Sequence, residues 1–439
     1  MSNKIKARTL AGFMELLPNE QILFNQIEEK IKKSFEQFGF LPLDTPIIEA
    51  SDVLLAKTGG ETAKQIYTLT KGDTDLALRF DLTVPLAKYI AINQNDITFP
   101  FRRYQIGKVY RGERPQQGRF REFYQADIDI IGDEELNILH DAEIPSVIYT
   151  VFKQINVGDF TIKINNRKVL GGFFSSLGVG DDVTSVLRIV DKIDKIGKDA
   201  VKSELSTLGL GEETADSILE FLSITGTNDE MIQALKDMHI DNELFRTGVE
   251  ELAQVVSGIR MFGVPDTNFA VDLSIARGLD YYTGTVYETI LNDFPQIGSV
   301  CSGGRYDNLS EYYTDKKMPG VGISIGLTRL FYQLNKMELI KLDKKSVADV
   351  LVIPMVDDLE FCIGVATKLR QNGIYTEIYL TDKKIKAKFA YADKLKIPYA
   401  VVIGEDEMKS DKYSLKNLEK REQKLLTLEE IITEIGAGN

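Results

Sequence analysis

The chain has 439 residues, 43% hydrophobic and 27% charged, with a formal net charge of −13. That length is too great for a single core and predicts two or three domains, while the acidic balance argues against indiscriminate nucleic-acid binding over the whole surface. No apolar run is long enough to span a membrane, residues 1–6 lack the apolar core of a signal peptide, and two separated cysteines with only two histidines argue against a structural zinc site and point to the reducing cytoplasm.

In chain order, residues 19–38 predict an amphipathic helix, with Leu23, Ile27, Ile31, Phe35 and Phe38 at spacings of three to four, ended by Gly39. Residues 39–49 follow as an extended segment broken by Pro42 and Pro46, which belongs at a sheet edge or an interface. Alternating patterns predict strands around 76–83, 103–111, 120–131, 160–165 and 269–291, most of them joined as hairpins in an antiparallel sheet. Residues 178–258 are helical in pattern and read as an insertion between two halves of that sheet. A glycine-rich strand at 320–326 leads into a helix from Leu327. Past a charged linker, 341–346, strand and helix alternate (349–354, 359–371, 375–380, 383–395, 399–404). Residues 347–439 therefore predict a compact, mainly parallel α/β domain, and residues 1–340 an α+β domain holding the insertion.

Two windows are basic within this acidic chain. Residues 101–121 carry seven arginines and lysines against Glu113 alone, and 383–396 carry six lysines against Asp393 alone. Side chains alternate across a strand. Leu76, Leu78, Phe80 and Leu82 therefore share a buried face, with Arg79, Asp81 and Thr83 opposite. In the return strand, Tyr124, Ala126, Ile128 and Ile130 form the apolar face, and Arg121, Phe123, Gln125, Asp127 and Asp129 the other. A Phe and a Gln among charges, beside an arginine-rich partner strand, suit a nucleotide platform: Phe123 stacks a base, and Arg111 and Arg121 hold phosphate bidentately. The run Arg277-Gly278-Leu279-Asp280-Tyr281-Tyr282-Thr283-Gly284 sets an arginine and paired aromatics between glycines. Such a run can line a small pocket where an anion meets a flat ring. Cys301 reads as a small buried residue rather than a reactive thiol.

The 277–287 run closely resembles the signature of histidine–tRNA ligases (histidyl-tRNA synthetases), and the resemblance extends over about residues 5–437. Residues 19–49 resemble the first motif of class II aminoacyl-tRNA synthetases, a dimer interface, and imply a homodimer. The 104–132 hairpin resembles the second motif, and Gly320–Leu330 the third. The resemblance implies a class II antiparallel sheet flanked by helices, with a helical insertion and a C-terminal α/β anticodon-binding domain. It implies ATP with its Mg²⁺, L-histidine and tRNA(His) as ligands and no protein-held metal. By the same carry-over, Arg277 and Arg111 are catalytic. Asp81, Thr83 and Gln125 meet the α-amino group, Asp129 and Tyr282 the imidazole, and Tyr281 and Tyr306 line the histidine pocket with Arg277. Arg111, Glu113, Arg121, Phe123 and Arg329 bind ATP, and Arg114 and Gln116 reach the tRNA acceptor end. Gly59-Gly60-Glu61-Thr62 resembles a loop that closes over histidine. The residue before Arg329 is usually acidic in the family and is Thr328 here.

The rival reading is a non-catalytic paralogue, the regulatory subunit of ATP phosphoribosyltransferase in histidine biosynthesis. It keeps the catalytic fold but commonly lacks the anticodon domain and loses the ATP-binding arginines. Residues 348–404 and Arg111, Arg277 and Arg329 argue for the enzyme.

Overall fold

A computed structural model of the chain describes residues 5–56, 63–114, 118–190, 192–275, 281–308, 310–340 and 345–436. The chain divides into two compact units, Met1–Met14 with Ile27–Leu339, and Glu15–Gln26 with Ile340–Asn439.

The first unit is built on an eight-stranded sheet of order β1-β5-β6-β11-β10-β9-β7-β8. Its strands are β1 (Leu41–Pro42), β5 (Phe101–Tyr110), β6 (Glu122–Ile131), β7 (Phe160–Asn166), β8 (Phe269–Val271), β9 (Thr285–Leu291), β10 (Cys301–Tyr306) and β11 (Gly320–Ile325). A small sheet of β2 (Ile48–Ala50), β4 (Thr74–Leu78) and β3 (Thr68–Lys71) stands beside it. The central pairs are antiparallel, as the hairpin pattern predicts, but the edge strands β1 and β8 pair in parallel with β5 and β7. The β5–β6 hairpin pairs along its whole length, from Phe101↔Ile131 to Tyr110↔Glu122. The helix Pro18–Gln37 lays Ile31 and Phe35 against this hairpin, with the rings of Phe35 and Tyr104 6.0 Å apart. Helix Leu139–Ile155 covers the sheet with Val147, Ile148, Val151 and Phe152, all fully buried.

The strand predicted over 76–83 stops at Leu78. Arg79 turns inward instead: its Nε donates to Lys108 O at 2.8 Å and its Nη1 to Thr45 O. Asp81 Oδ1 then accepts the Val84 N–H at 3.0 Å, and helix Thr83–Asn93 begins. A carboxylate that accepts a first-turn N–H satisfies an otherwise orphaned donor. Thr83 therefore opens a helix, and Val84 and Pro85 are buried in its first turn rather than marking a strand rim.

The predicted insertion is present as helices Val183–Val190, Lys198–Thr207, Glu212–Leu222, Asn228–Asp237 and Glu243–Met261. The last of these is not peripheral. It packs along Arg167–Ser176 and Leu139–Ile155, and at the first crossing the backbones nearly touch. A Cβ on Gly172 would lie 2.4 Å from Phe245 N, and one on Gly248 2.6 Å from Val169 N. The predicted boundary at 258 thus falls inside a helix that belongs to the core.

The second unit carries a five-stranded sheet of order β13-β12-β14-β15-β16, formed by β12 (Val350–Pro354), β13 (Thr376–Ile378), β14 (Tyr399–Ile403), β15 (Tyr413–Asn417) and β16 (Glu422–Leu426). β12 pairs in parallel with β13 and β14, as alternation predicts, whereas β14, β15 and β16 run antiparallel. The β15–β16 hairpin and the final helix Leu428–Gly436 are additions to the predicted pattern. Helices cover both faces: Cys362, Leu369 and Ile431 pack on one, Ala392 and Phe389 on the other.

A methyl group at Gly172 must push two helix backbones apart. Gly172→Ala should therefore cost about 1–3 kcal/mol of stability, seen as a lower thermal midpoint. An unchanged midpoint would show that the two helices separate freely.

Candidate active site

The inner face of β6, with β10, β11 and the 79–83 turn, lines a cavity of about 540 Å³. Alternation along β6 brings Phe123, Gln125, Asp127 and Asp129 to it in one file, as the sequence predicts. Register then sets them in rows. Asp129 lies between Arg103 on β5 and Gly322 on β11, and Gly322 in turn faces Gly304 on β10. A Cβ on Gly322 would meet Asp129 Oδ1 at 2.3 Å, and one on Gly304 would meet Tyr282 Cδ1 at 3.0 Å. These two glycines let Asp129 and Tyr282 lie flat over the sheet.

At this end the cavity offers acceptors. Asp81, Gln125, Asp127 and Asp129 are all under 9% exposed. Asp81 Oδ2, Gln125 Oε1, Asp127 Oδ1 and Asp129 Oδ2 have no hydrogen-bond partner among the described residues. Asp129 Oδ2 does lie 2.5 Å from Arg103 Nη2, an ion contact outside hydrogen-bond alignment. Its Oδ1 accepts the Tyr306 hydroxyl at 2.6 Å. Burial pushes Asp81 up to about 6, against hydrogen bonds from Val84 and Thr83 and the charges of Arg111 and Arg103. Burial likewise pushes Asp127 up to about 7 despite Arg103 and Ser324, and it raises Asp129. Burial also holds the Tyr281, Tyr282 and Tyr306 phenols protonated. Tyr281 stands edge-on to Tyr282 and Tyr306, with ring centroids 4.9 and 5.9 Å away. Such a floor suits a ligand rich in N–H donors and positive charge.

The other end is cationic. Arg111 stacks over Phe123 at 5.2 Å while its Nε donates to Phe80 O at 3.0 Å. Arg329, on helix Leu327–Lys336, donates from Nη2 to Ile297 O. Thr328 is buried, and its Oγ1 accepts the Tyr124 N–H at 2.8 Å. This neutral residue thereby ties the helix carrying Arg329 to β6. Glu113 lines the cavity within 3.9 Å of Arg119.

Several predicted site residues are placed otherwise. Arg121 precedes β6, so strand alternation does not govern it; its Nε donates to Glu113 O at 3.0 Å, and it is not among the lining residues. Arg114 is described but does not line the cavity either. Arg277, Gln116 and the run 59–62 lie outside the described residues. Conversely, Arg167, Arg188 and Arg119 line the cavity and were missed. Arg188 comes from the inserted helix Val183–Val190, for which strand alternation gives no signal. Asp127 lies on the face where the sequence gives its acids cationic ligand groups to take up, with no particular group assigned to it. Cys301 is buried in the wall, and burial raises its thiol, so it is no ready thiolate.

The profile of the family described as Histidyl-tRNA synthetase matches residues 12–330, and that of the Anticodon binding domain matches residues 349–437. A histidine–tRNA ligase of Clostridium tetani is 60% identical over 429 residues, 98% of each chain. One of Finegoldia magna is 51% identical over 98% of this chain and 100% of its own. The crystal structure of histidyl-tRNA synthetase from Nostoc sp. PCC 7120 is 43% identical and superposes with a TM-score of 0.90, covering 99% of this chain and 100% of that one.

Arg103 is the buried charge that compensates Asp129, so Arg103→Leu should cost about 3–5 kcal/mol by stranding it. A stranded acid binds its proton more tightly in the folded than in the unfolded state, so stability should recover as pH falls. Thermal midpoints at pH 7.5 and 5.5 check this: the deficit should narrow at the lower pH, and an equal deficit at both would contradict the charge argument.

Proposed function

The chain belongs to the histidyl-tRNA synthetase family, and from that premise we propose how its cavity divides the work of the reaction. The chain is a ligase: it activates L-histidine with ATP to histidyl-adenylate and pyrophosphate and transfers the histidyl group to tRNA(His). One observation carries the assignment of the site. Four buried acceptor atoms without a hydrogen-bond donor among the described residues line the cavity along β6 and the 79–83 turn, and Arg111 and Arg329 line it nearer Phe123. A ligand that is cationic at one end and polyanionic at the other, an amino acid joined to a nucleotide, complements both.

In this reading the α-ammonium group of histidine lies against Asp81 Oδ2, Gln125 Oε1 and Thr83, and the imidazole against Asp129 and Tyr282. Tyr281 and Tyr306 wall the pocket. Phe123 stacks the adenine, and Glu113 reads its amino group. Arg111 takes the α-phosphate and Arg329 the γ-phosphate. Arg121 acts by bracing the Glu113 backbone rather than by touching phosphate. The nucleophile is the substrate carboxylate, with an ordinary pKa of about 3.5 and hence already ionised. No general base is needed, and the protein's part is in-line placement and neutralisation of charge at the transferring phosphorus. The family resemblance gives that charge role to Arg277.

Among the described residues no cluster of three or more His, Cys, Asp or Glu could hold a metal ion. Mg²⁺ would enter with the phosphates of ATP, where it screens their charge. Arg114 and Gln116 would meet the tRNA acceptor end, and the C-terminal domain the anticodon loop, where unstacked bases can be read. A homodimer is supported by Leu41, Ile47 and Ile48, which are exposed beside two prolines in the 39–49 segment. Work in the cytoplasm is supported by two free, buried cysteines. The regulatory-subunit reading is weaker, since the chain keeps an anticodon-binding segment and both Arg111 and Arg329 in the cavity.

Pyrophosphate–ATP exchange with each amino acid in turn tests this. Exchange should be confined to histidine, and Arg277→Ala should abolish it in a protein that still folds. A folded wild-type dimer without exchange would favour the regulatory paralogue, and near-normal exchange by the variant would refute the role of Arg277.

A further inference from the structure

Asp127 has no part in the assignment above, on which this inference rests. It stands on β6 between Gln125 and Asp129 and lines the cavity. Its register partners are Gln105 on β5 and Ser324 on β11. Gln105 is committed elsewhere: its Nε2 donates to Asp44 at 2.8 Å, and its Oε1 accepts from Thr45 Oγ1 at 3.4 Å. The Ser324 hydroxyl accepts from Gln125 Nε2 at 2.6 Å, which leaves its own proton for the Asp127 carboxylate. That still leaves Asp127 Oδ1 without a partner among the described residues, on a side chain only 2% exposed.

The neighbouring acceptors are better occupied. Asp129 already takes the Tyr306 hydroxyl on Oδ1 at 2.6 Å and lies against Arg103 on Oδ2 at 2.5 Å. The three N–H bonds of an α-ammonium group are met by Asp81, Gln125 and Thr83. Asp129 and Tyr282 meet one ring nitrogen; the donor still to be matched is the N–H on the other nitrogen of a protonated ring, and the acceptor still to be matched is Asp127 Oδ1. Same-face positions on a strand are about 7 Å apart, a span that an imidazole with a hydrogen bond on each side can bridge. Gly322 and Gly304 keep the adjoining row clear of side chains.

We propose that Asp127 is a specificity-determining residue for the amino-acid substrate, its Oδ1 accepting a ring N–H of histidine beside Asp129 and Tyr282. A merely structural Asp127 would help any ligand of the right shape equally. One that reads the ring would help only a ligand carrying the donor.

The test measures binding of histidine and of thiazol-4-ylalanine to the full chain by calorimetry. The analogue keeps the amino acid and the ring shape but has no ring N–H. Wild type should prefer histidine by at least about a hundredfold, since a site that loses its donor leaves a buried acceptor unpaired. Asp127→Leu, which keeps the branched outline and removes the acceptor, should narrow that preference at least about tenfold, with affinity for ATP changed less than about twofold. Asp127→Ala, which also removes the acceptor, replaces it if the leucine variant does not fold, with the same expectation for the preference. A variant that keeps the wild-type preference, weakening both ligands alike, overturns the proposal. A wild type without preference for histidine overturns the reading of the whole pocket and this inference with it.

Discussion

Arg103 is fully buried and lies 2.5 Å from Asp129, and its positive charge also lowers the pKa of Asp81 and Asp127. Three buried carboxylates thus share this guanidinium, with Arg111 adding a contribution at Asp81 alone. Burying a charge without a partner is expensive, and a group so placed tends to keep its proton instead. That is the condition of this floor: each of the three acids is shifted upward, with burial as the first cause. The deficit is one of cations and donors. Histidine supplies both, through its ammonium group and its ring.

The fold is arranged around that deficit. The β5–β6 hairpin sets Arg103 opposite Asp129, and the early end of β4 turns Asp81 toward the same cavity. Asp81 is held there by the first turn of helix Thr83–Asn93, through the Val84 N–H. Further along β6 the character of the cavity reverses, and Arg111 over Phe123 offers a cation beside an aromatic face. One strand therefore runs from the acidic floor to the arginine-lined part of the cavity. In the proposed reading, spacing along it sets the distance between the two reacting groups, a large contribution to rate.

Much of this was legible in the sequence because a strand has a strict period. The file Phe123, Gln125, Asp127, Asp129 follows from alternation alone, and the β5–β6 pairing follows from the hairpin pattern. The 359–371 helix likewise matches its observed bounds, Leu359–Gln371. The failures have equally specific causes. Alternation in the sequence continues past Leu78, but there Arg79 donates to Lys108 O and Asp81 accepts the Val84 N–H, and the backbone leaves the strand. Alternation puts Arg121 in the file of Phe123, yet it lies before the strand begins. Arg103 counted as one of a basic patch, although its partner is a buried acid 26 positions on in sequence and adjacent only through pairing. Lys388 counted in the second patch, but it is buried with its Nζ donating to Pro354 O at 2.6 Å. Arg188 reaches the cavity by tertiary packing of the insertion, which no local pattern encodes.

The account stands on carboxyl groups that bind their protons more tightly than an ordinary aspartate until a cation arrives. Carbon-13 NMR of aspartate carboxyls, followed from pH 4.5 to 8, reads those protons directly, with Asp81→Asn and Asp127→Asn to assign the signals. In the empty protein Asp81 and Asp127 should titrate near pH 6 and 7. Saturation with histidinol should drive Asp81 back toward its ordinary range, because an ammonium beside it favours the ionised form. If both carboxyls titrate below about 4.5 in the empty protein, close to an unperturbed aspartate, the charge deficit at the centre of this account does not exist.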